Sequence, residues 1–147
     1  MTETIGSQFV VVFATVVAVV LCVVVHYEGL SFLTNRLRDI QLRARPRILV
    51  LIFAILATHV LEIWIFGGTI FALISTSGHG ALHASYPVGV LDSVYFSAVC
   101  YTTLGLGDVV PVGAIRFLVG TESLTGFVLI TWSASFTFVE MQRFWRA

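Results

Sequence analysis

The chain has 147 residues, of which 58% are hydrophobic and 11% are charged, and its mean hydropathy is +0.99. Soluble domains carry about a quarter charged residues, so these values exclude an ordinary water-soluble globular domain. Basic and acidic residues number eight each and give a formal net charge of zero, which excludes a generally basic nucleic-acid-binding protein.

The first predicted element is a transmembrane helix in an N-terminal segment, residues 1–30. Residues 9–25 form an uncharged apolar run that is long enough to cross a bilayer. Its many valines would favour a strand in water, but hydrocarbon offers an isolated strand no backbone partners, so the run is predicted to be helical. The segment lacks the basic start and the cleavage pattern of a signal peptide, and we therefore expect it to be retained.

An arginine-rich segment, residues 31–47, follows and is predicted to be a loop. The second apolar run, 48–74, is longer than the hydrocarbon core requires and is predicted to be a tilted outer helix. After a polar outer loop at 75–89 comes the segment 90–102, whose apolar part is too short to span and fits a re-entrant helix. A third span, the inner helix at 113–142, completes the pattern.

The distribution of arginines predicts the orientation. Cytoplasmic loops carry an excess of basic residues, and only Arg116 lies on the side opposite to the other arginines. This places the first loop and the C-terminus in the cytoplasm, and the N-terminus and the re-entrant segment outside. We expect an integral protein of the plasma membrane, the inner membrane in a bacterium. The arginines on the cytoplasmic side are Arg36, Arg38, Arg43, Arg45, Arg47, Arg143 and Arg146.

The segment between the re-entrant helix and the inner helix, residues 103–108, carries the chemistry and reads TLGLGD. Glycine adopts positive φ freely, so positive φ at Gly105 and Gly107 would let successive carbonyls point to one side. Four such strands around an axis form rings of oxygens that replace the hydration shell of a monovalent cation. One chain supplies a quarter of each ring, so function requires a closed, fourfold oligomer. The carbonyls belong to Thr103, Leu104, Gly105 and Leu106, and the Thr103 hydroxyl adds an innermost ring.

Residues 103–108 resemble the selectivity-filter signature of the potassium-channel pore-loop superfamily, and the resemblance covers residues 48–141. Tyr95 and Phe96 match the aromatic pair that this family places around the filter, and Thr102 matches the threonine that ends its pore helix. The resemblance implies an all-α membrane protein with three transmembrane helices per subunit and a homotetrameric pore. The filter residues 103–107 would bind permeant K⁺, with no other cofactor, and the partners would be further copies of the chain and the lipid bilayer.

Two residues depart from the family signature. Leu104 replaces the usual Val or Ile, and Leu106 replaces the usual Tyr or Phe. The lost phenol removes a hydrogen bond that could hold the filter at a fixed diameter, which leaves a nonselective monovalent cation channel as an alternative. A non-conducting membrane subunit of a larger transport or sensory assembly is a second alternative. An enzyme is not predicted, because no pairing of a nucleophile with a base stands out.

Several residues around the filter are candidates for supporting it. Asp108 is expected at the mouth, either hydrogen-bonded to an aromatic residue such as Tyr95 or concentrating cations. Glu122 and Glu62 are acids within apolar helices, where carboxylates are costly. We expect them to tie their helices to the back of the filter, and the alternative is a direct role in handling ions. Along the inner helix a stripe at helical spacing is predicted to line the cavity: Val128, Thr131, Ser135 and Val139.

The inner helix also carries Gly120 and Gly126, which could serve as a hinge or permit close packing, and packing is the default. His59 and Glu62 lie one turn apart and offer two metal ligands, and so do two histidines of the outer loop, His79 and His83. No third ligand is evident near either pair, so we predict no metal site.

Overall fold

The computed structural model describes the backbone of residues 2–39 and 44–145, and the side chains of residues 5–36 and 46–143. Within these ranges the chain forms four helices and two short strands. Three of the helices are long and apolar enough to cross a membrane, and one is too short. In chain order the elements are α1 (Thr2–Asp39), α2 (Ala44–Ile74), β1 (Ala81–His83), α3 (Val90–Tyr101), β2 (Val110–Val112) and α4 (Arg116–Trp145).

Helix α1 is longer than the sequence analysis predicts. It continues to Asp39, whereas the arginine-rich composition predicts a loop from residue 31 onward. A small apolar cluster between α1 and α2 explains the extension, since burying these leucines stabilises the additional helical turns. The remainder of the predicted loop, residues 40–43, lies outside the described residues, and so does Arg146. The cluster comprises Leu30, Leu33, Leu51 and Ile55.

The other helices begin and end close to the predicted positions. Helix α2 begins at Ala44 rather than 48 and carries Pro46 in its first turn, where proline costs no hydrogen bond. Helix α3 begins at Val90, as predicted, and ends at Tyr101. Helix α4 begins at Arg116 rather than 113, because the residues before it form β2 and a turn.

The two strands form an antiparallel ladder that the sequence analysis does not predict. Ala81 pairs with Val112, and His83 pairs with Val110. Gly80 precedes the ladder with a φ of +117°, and a Cβ on it would lie 2.4 Å from the Val112 carbonyl oxygen. Only glycine fits such an approach. The ladder fastens the loop after α2 to the segment that follows residues 103–108.

The helices pack around α3, which contacts α2 on one side and α4 on another, while α1 packs against both α2 and α4. The hydroxyl of Ser7 donates a hydrogen bond to the carbonyl of Gly78. This contact places the N-terminal end of α1 at the end of the bundle that carries the outer loop. The largest fully buried side chains include Tyr101, Phe66, Leu51, Ile70, Ile115 and Leu118.

Most of the apolar surface of the long helices remains exposed in the single chain. The most apolar windows of α1, α2 and α4 are only 28%, 17% and 28% buried. Phe9, Phe13 and Phe53 are each about two-thirds exposed or more. Surfaces of this kind require lipid or further protein as a neighbour, in agreement with a membrane protein.

Candidate functional site

The backbone that follows α3 folds back onto the last turn of that helix. The amide of Leu104 donates to the Val99 carbonyl at 2.9 Å, and the amide of Gly105 approaches the same oxygen at 3.4 Å. In a trans peptide the N–H and C=O groups of one unit point in opposite directions, and the described residues contain no cis peptide. The carbonyls of Thr103 and Leu104 therefore point away from the end of α3.

The φ angles in this segment alternate. Gly105 and Gly107 have φ of +60° and +80°, which confirms the predicted positive values. Thr103 has a φ of +59° and is the only non-glycine residue with positive φ among those described. Leu104 and Leu106 lie between these residues and do not share it. Alternating left- and right-handed dihedrals align the N–H groups of a chain on one side, which leaves the carbonyls on the other.

Hydrogen bonds from α3 hold both ends of this segment. Tyr95 Oη donates to Asp108 Oδ2 at 2.7 Å, which is one of the two roles predicted for Asp108. This hydrogen bond raises the pKa of Tyr95 above its ordinary value of 10.0. At the other end, Thr102 Oγ1 donates to the Ala98 carbonyl at 2.7 Å. Phe96, the second residue of the aromatic pair, is buried.

Glu122 joins α4 to α3. The side chain is fully buried, and its Oε1 accepts a hydrogen bond from Ser97 Oγ at 2.5 Å. Ser97 Oγ also lies 2.9 Å from the Ile63 carbonyl of α2, so one hydroxyl links three helices. Glu122 Oε2 has no hydrogen-bond partner within the described part of the chain.

Two glycines allow the long helices to approach α3 closely. A Cβ on Gly126 would lie 2.1 Å from the Tyr101 carbonyl oxygen, and a Cβ on Gly67 would lie 2.7 Å from the Cα of Val94. Gly126 therefore permits close packing of α4, as in the default interpretation. Nothing among the described residues lies within 4 Å of the corresponding position on Gly120. The sequence analysis missed Gly67, because a glycine inside an apolar helix does not reveal which neighbour it faces.

The stripe predicted to line a cavity lies on one exposed face of α4. Val128 and Val139 are about half exposed, and Thr131 and Ser135 are exposed as well. The hydroxyl groups of the two polar residues bond carbonyls of their own helix, at 2.9 Å to Phe127 for Thr131 and at 3.0 Å to Thr131 for Ser135. The face is thus available to a cavity or to a neighbouring chain.

A second polar cluster lies where α1, α2 and α3 meet. Glu62 of α2 accepts a hydrogen bond from Tyr101 Oη, and its two oxygens lie 2.9 Å from His26 Nδ1 and 2.9 Å from His59 Nδ1. These contacts join Glu62 to Tyr101, the last residue of α3. His26 is a site residue that the sequence analysis missed, because 36 positions separate it from Glu62.

One comparison with known proteins relates the chain to a family. Residues 48–143 match the model of a family described as "Ion channel", which is more than half of the chain. Helix α1 precedes the matched residues. No curated protein and no solved structure matches the chain.

Proposed function

Because the chain belongs to the ion-channel family whose model it matches, a family of pore-loop channels, we propose that it forms a tetrameric, potassium-selective cation channel. The observation that carries this proposal is the backbone of residues 103–107. Positive φ at every second residue, with two amides bonded back to Val99, supports an arrangement in which the carbonyl oxygens of this segment form a column. A single chain has one such segment, so four copies are needed to surround an ion.

Dehydrated K⁺ would bind the carbonyl oxygens of residues 103–106, with the hydroxyl of Thr103 at the inner end. Helix α3 would enter the membrane from outside and return as the filter. Its C-terminal end at Tyr101 carries partial negative charge and would favour a cation in the cavity below. Asp108, fixed by Tyr95, would lie at the outer mouth.

The exposed face of α4 would line this cavity, where Thr131 and Ser135 keep the surface wettable. The arginine distribution supports a cytoplasmic C-terminus and an N-terminus outside. The contact of Ser7 with Gly78 supports an N-terminus on the same side as the filter mouth. The exposed apolar belts of α1 and α2 would face lipid.

The alternative of a nonselective cation channel rests on Leu106. Its side chain is 57% exposed and has no polar group that could hold the filter diameter. The experiment that separates the two functions is the reversal potential of the purified protein in planar bilayers under opposed K⁺ and Na⁺ gradients. Reversal near the K⁺ equilibrium potential supports the proposal, reversal near zero supports the nonselective pore, and absence of current supports a non-conducting subunit.

The mass of the purified protein in detergent tests the assembly independently. Four copies per particle are expected. A monomer or a dimer that persists after reconstitution would contradict a pore built from this filter.

A further inference from the structure

We propose that His26, His59 and Glu62 form a binding site for a transition-metal ion, best suited to Zn²⁺, that fastens α1 to α2. The three side chains come from the two helices that meet beside Tyr101 of α3. Their exposures are 1%, 14% and 0%. The proposal does not depend on ion conduction, since it concerns a cluster separate from residues 103–108.

The ligand atoms already converge. His26 Nδ1 and His59 Nδ1 each lie 2.9 Å from an oxygen of Glu62, and one ligand atom from each residue lies within 4.8 Å of the others. Zinc binds imidazole nitrogen and carboxylate oxygen at about 2.0–2.2 Å, so tetrahedral ligands are about 3.3 Å apart. Small shifts of the side chains would admit the ion.

The ligand types fit zinc. Two histidines and one glutamate are a known zinc ligand set, in which a fourth position stays open. A water molecule can complete the coordination. Tyr101 Oη lies 3.0 Å from His59 Nδ1 and donates a hydrogen bond to Glu62, so it helps to orient both ligands.

Groups around the ligands fix their orientation. Ser133 Oγ of α4 lies 3.4 Å from His26 Nε2, the ring nitrogen that does not face Glu62. The ring of Trp132 lies 5.1 Å from the same imidazole. Metal-bound histidines usually bond through their second nitrogen to a neighbouring polar group, and His26 has such a neighbour.

Charge favours a cation at this position. A carboxylate deep inside a membrane-spanning helix is costly without a counter-charge. A divalent ion offsets the charge of Glu62 directly. A crevice of about 380 Å³ between α2 and α4 reaches both His59 and Ser133, so the cluster has space beside it on this side.

The test measures zinc bound to the purified full-length protein. The protein is stripped with a chelator, exposed to Zn²⁺, freed of excess by gel filtration and analysed for metal. We expect about one zinc per chain, and at least about tenfold weaker binding after His26→Gln or His59→Gln. The double variant His79→Gln, His83→Gln is the matched control, since it removes the two outer-loop histidines and should retain zinc.

Three outcomes would overturn the site: no zinc on the wild-type protein, undiminished binding by both His26→Gln and His59→Gln, or loss of zinc in the outer-loop control alone. Particle mass and circular dichroism check that each variant folds. If the variants do not fold, X-ray absorption at the zinc edge of the wild-type protein decides the matter. Two imidazoles in the coordination shell support the site, and a shell without imidazole contradicts it.

Discussion

Among the described residues, Thr103 is the only non-glycine residue with a positive φ. Left-handed dihedrals cost an L-residue about 1–2 kcal/mol, yet Thr103 has a φ of +59°. Its own amide bonds the Cys100 carbonyl, and the next amide bonds Val99, so the end of α3 imposes the conformation. A glycine would adopt it more readily but would lack the hydroxyl that the proposed filter uses.

Gly105 offers the sharpest single-residue test of the filter. Its φ is +60°, and no other described atom lies within 4 Å of the position that a Cβ would take. Gly105→Ala should therefore fail through backbone strain, about 1–2 kcal/mol per chain, and not through a clash within the chain. We expect loss of current in planar bilayers, with the particle mass in detergent unchanged. Normal conductance in this variant would end the assignment of residues 103–107 as a filter.

Tyr95→Phe removes the hydrogen bond to Asp108 and leaves the ring in place. We expect a reversal potential shifted toward that of Na⁺, because the outer end of the proposed filter loses its attachment to α3. Asp108→Asn retains an acceptor oxygen for the Tyr95 hydroxyl and should shift the reversal potential less. The bond raises the pKa of Tyr95, so the wild-type attachment is fully present below pH 10 and is lost only as pH rises through the raised value. If the selectivity of Tyr95→Phe is unchanged, the hydrogen bond between Tyr95 and Asp108 plays no part in permeation.

At the scale of elements, the crossing of α4 over α3 depends on Gly126. Gly126→Ala places a methyl group 2.1 Å from a backbone oxygen, which forces α4 away from the end of α3. Overpacking of this kind costs about 1–3 kcal/mol, and we expect a lower melting temperature for the purified protein.

Gly120→Ala is the matched control, because it adds the same methyl group to the same helix where the chain leaves space. It should melt close to the wild-type temperature. Equal melting temperatures for both variants would contradict the close approach at Gly126.

The helices were predictable from sequence to the extent that apolar runs define them. The long apolar run of α2 and the short run of α3 predict their type and their approximate length. The end of α1 was not predictable, because Asn35, Arg36 and Asp39 lower its hydropathy while the buried Leu30 and Leu33 hold it in place. Strands of three residues such as β1 carry no periodic signal at all.

The candidate site also has parts that were predictable from sequence and parts that were not. Positive φ at Gly105 and Gly107 follows from residue type. The partners available to Asp108, such as Tyr95, follow from the predicted length of α3. The meeting of His26 with Glu62 does not, since it depends on how α1 packs against α2. The sequences of two separate helices do not specify which of their faces will be in contact.

On the scale of the whole molecule, the position of α1 can be tested by placing a large side chain on its buried face and on its exposed face. Ala18 is 1% exposed and belongs to the main core, whereas Val17 is 40% exposed. Ala18→Trp should separate α1 from its neighbours and lower the melting temperature, because overpacking costs about 1–3 kcal/mol of folding free energy. Val17→Trp should be tolerated, because its side chain faces outward. The comparison uses thermal unfolding of both purified variants, and a reversed order would contradict the docking of α1.

The contact of α1 with α4 also governs what can arrive through the bilayer. Tyr27 and Leu30 of α1 and Trp132 and Phe136 of α4 line one groove, and the ring of His26 contacts that of Trp132. A lipophilic molecule dissolved in the membrane can therefore reach this flank of α4 through the groove, whereas the residues of α4 that α1 covers become accessible only if the two helices separate. The crevice between α2 and α4 offers a second route on the opposite flank.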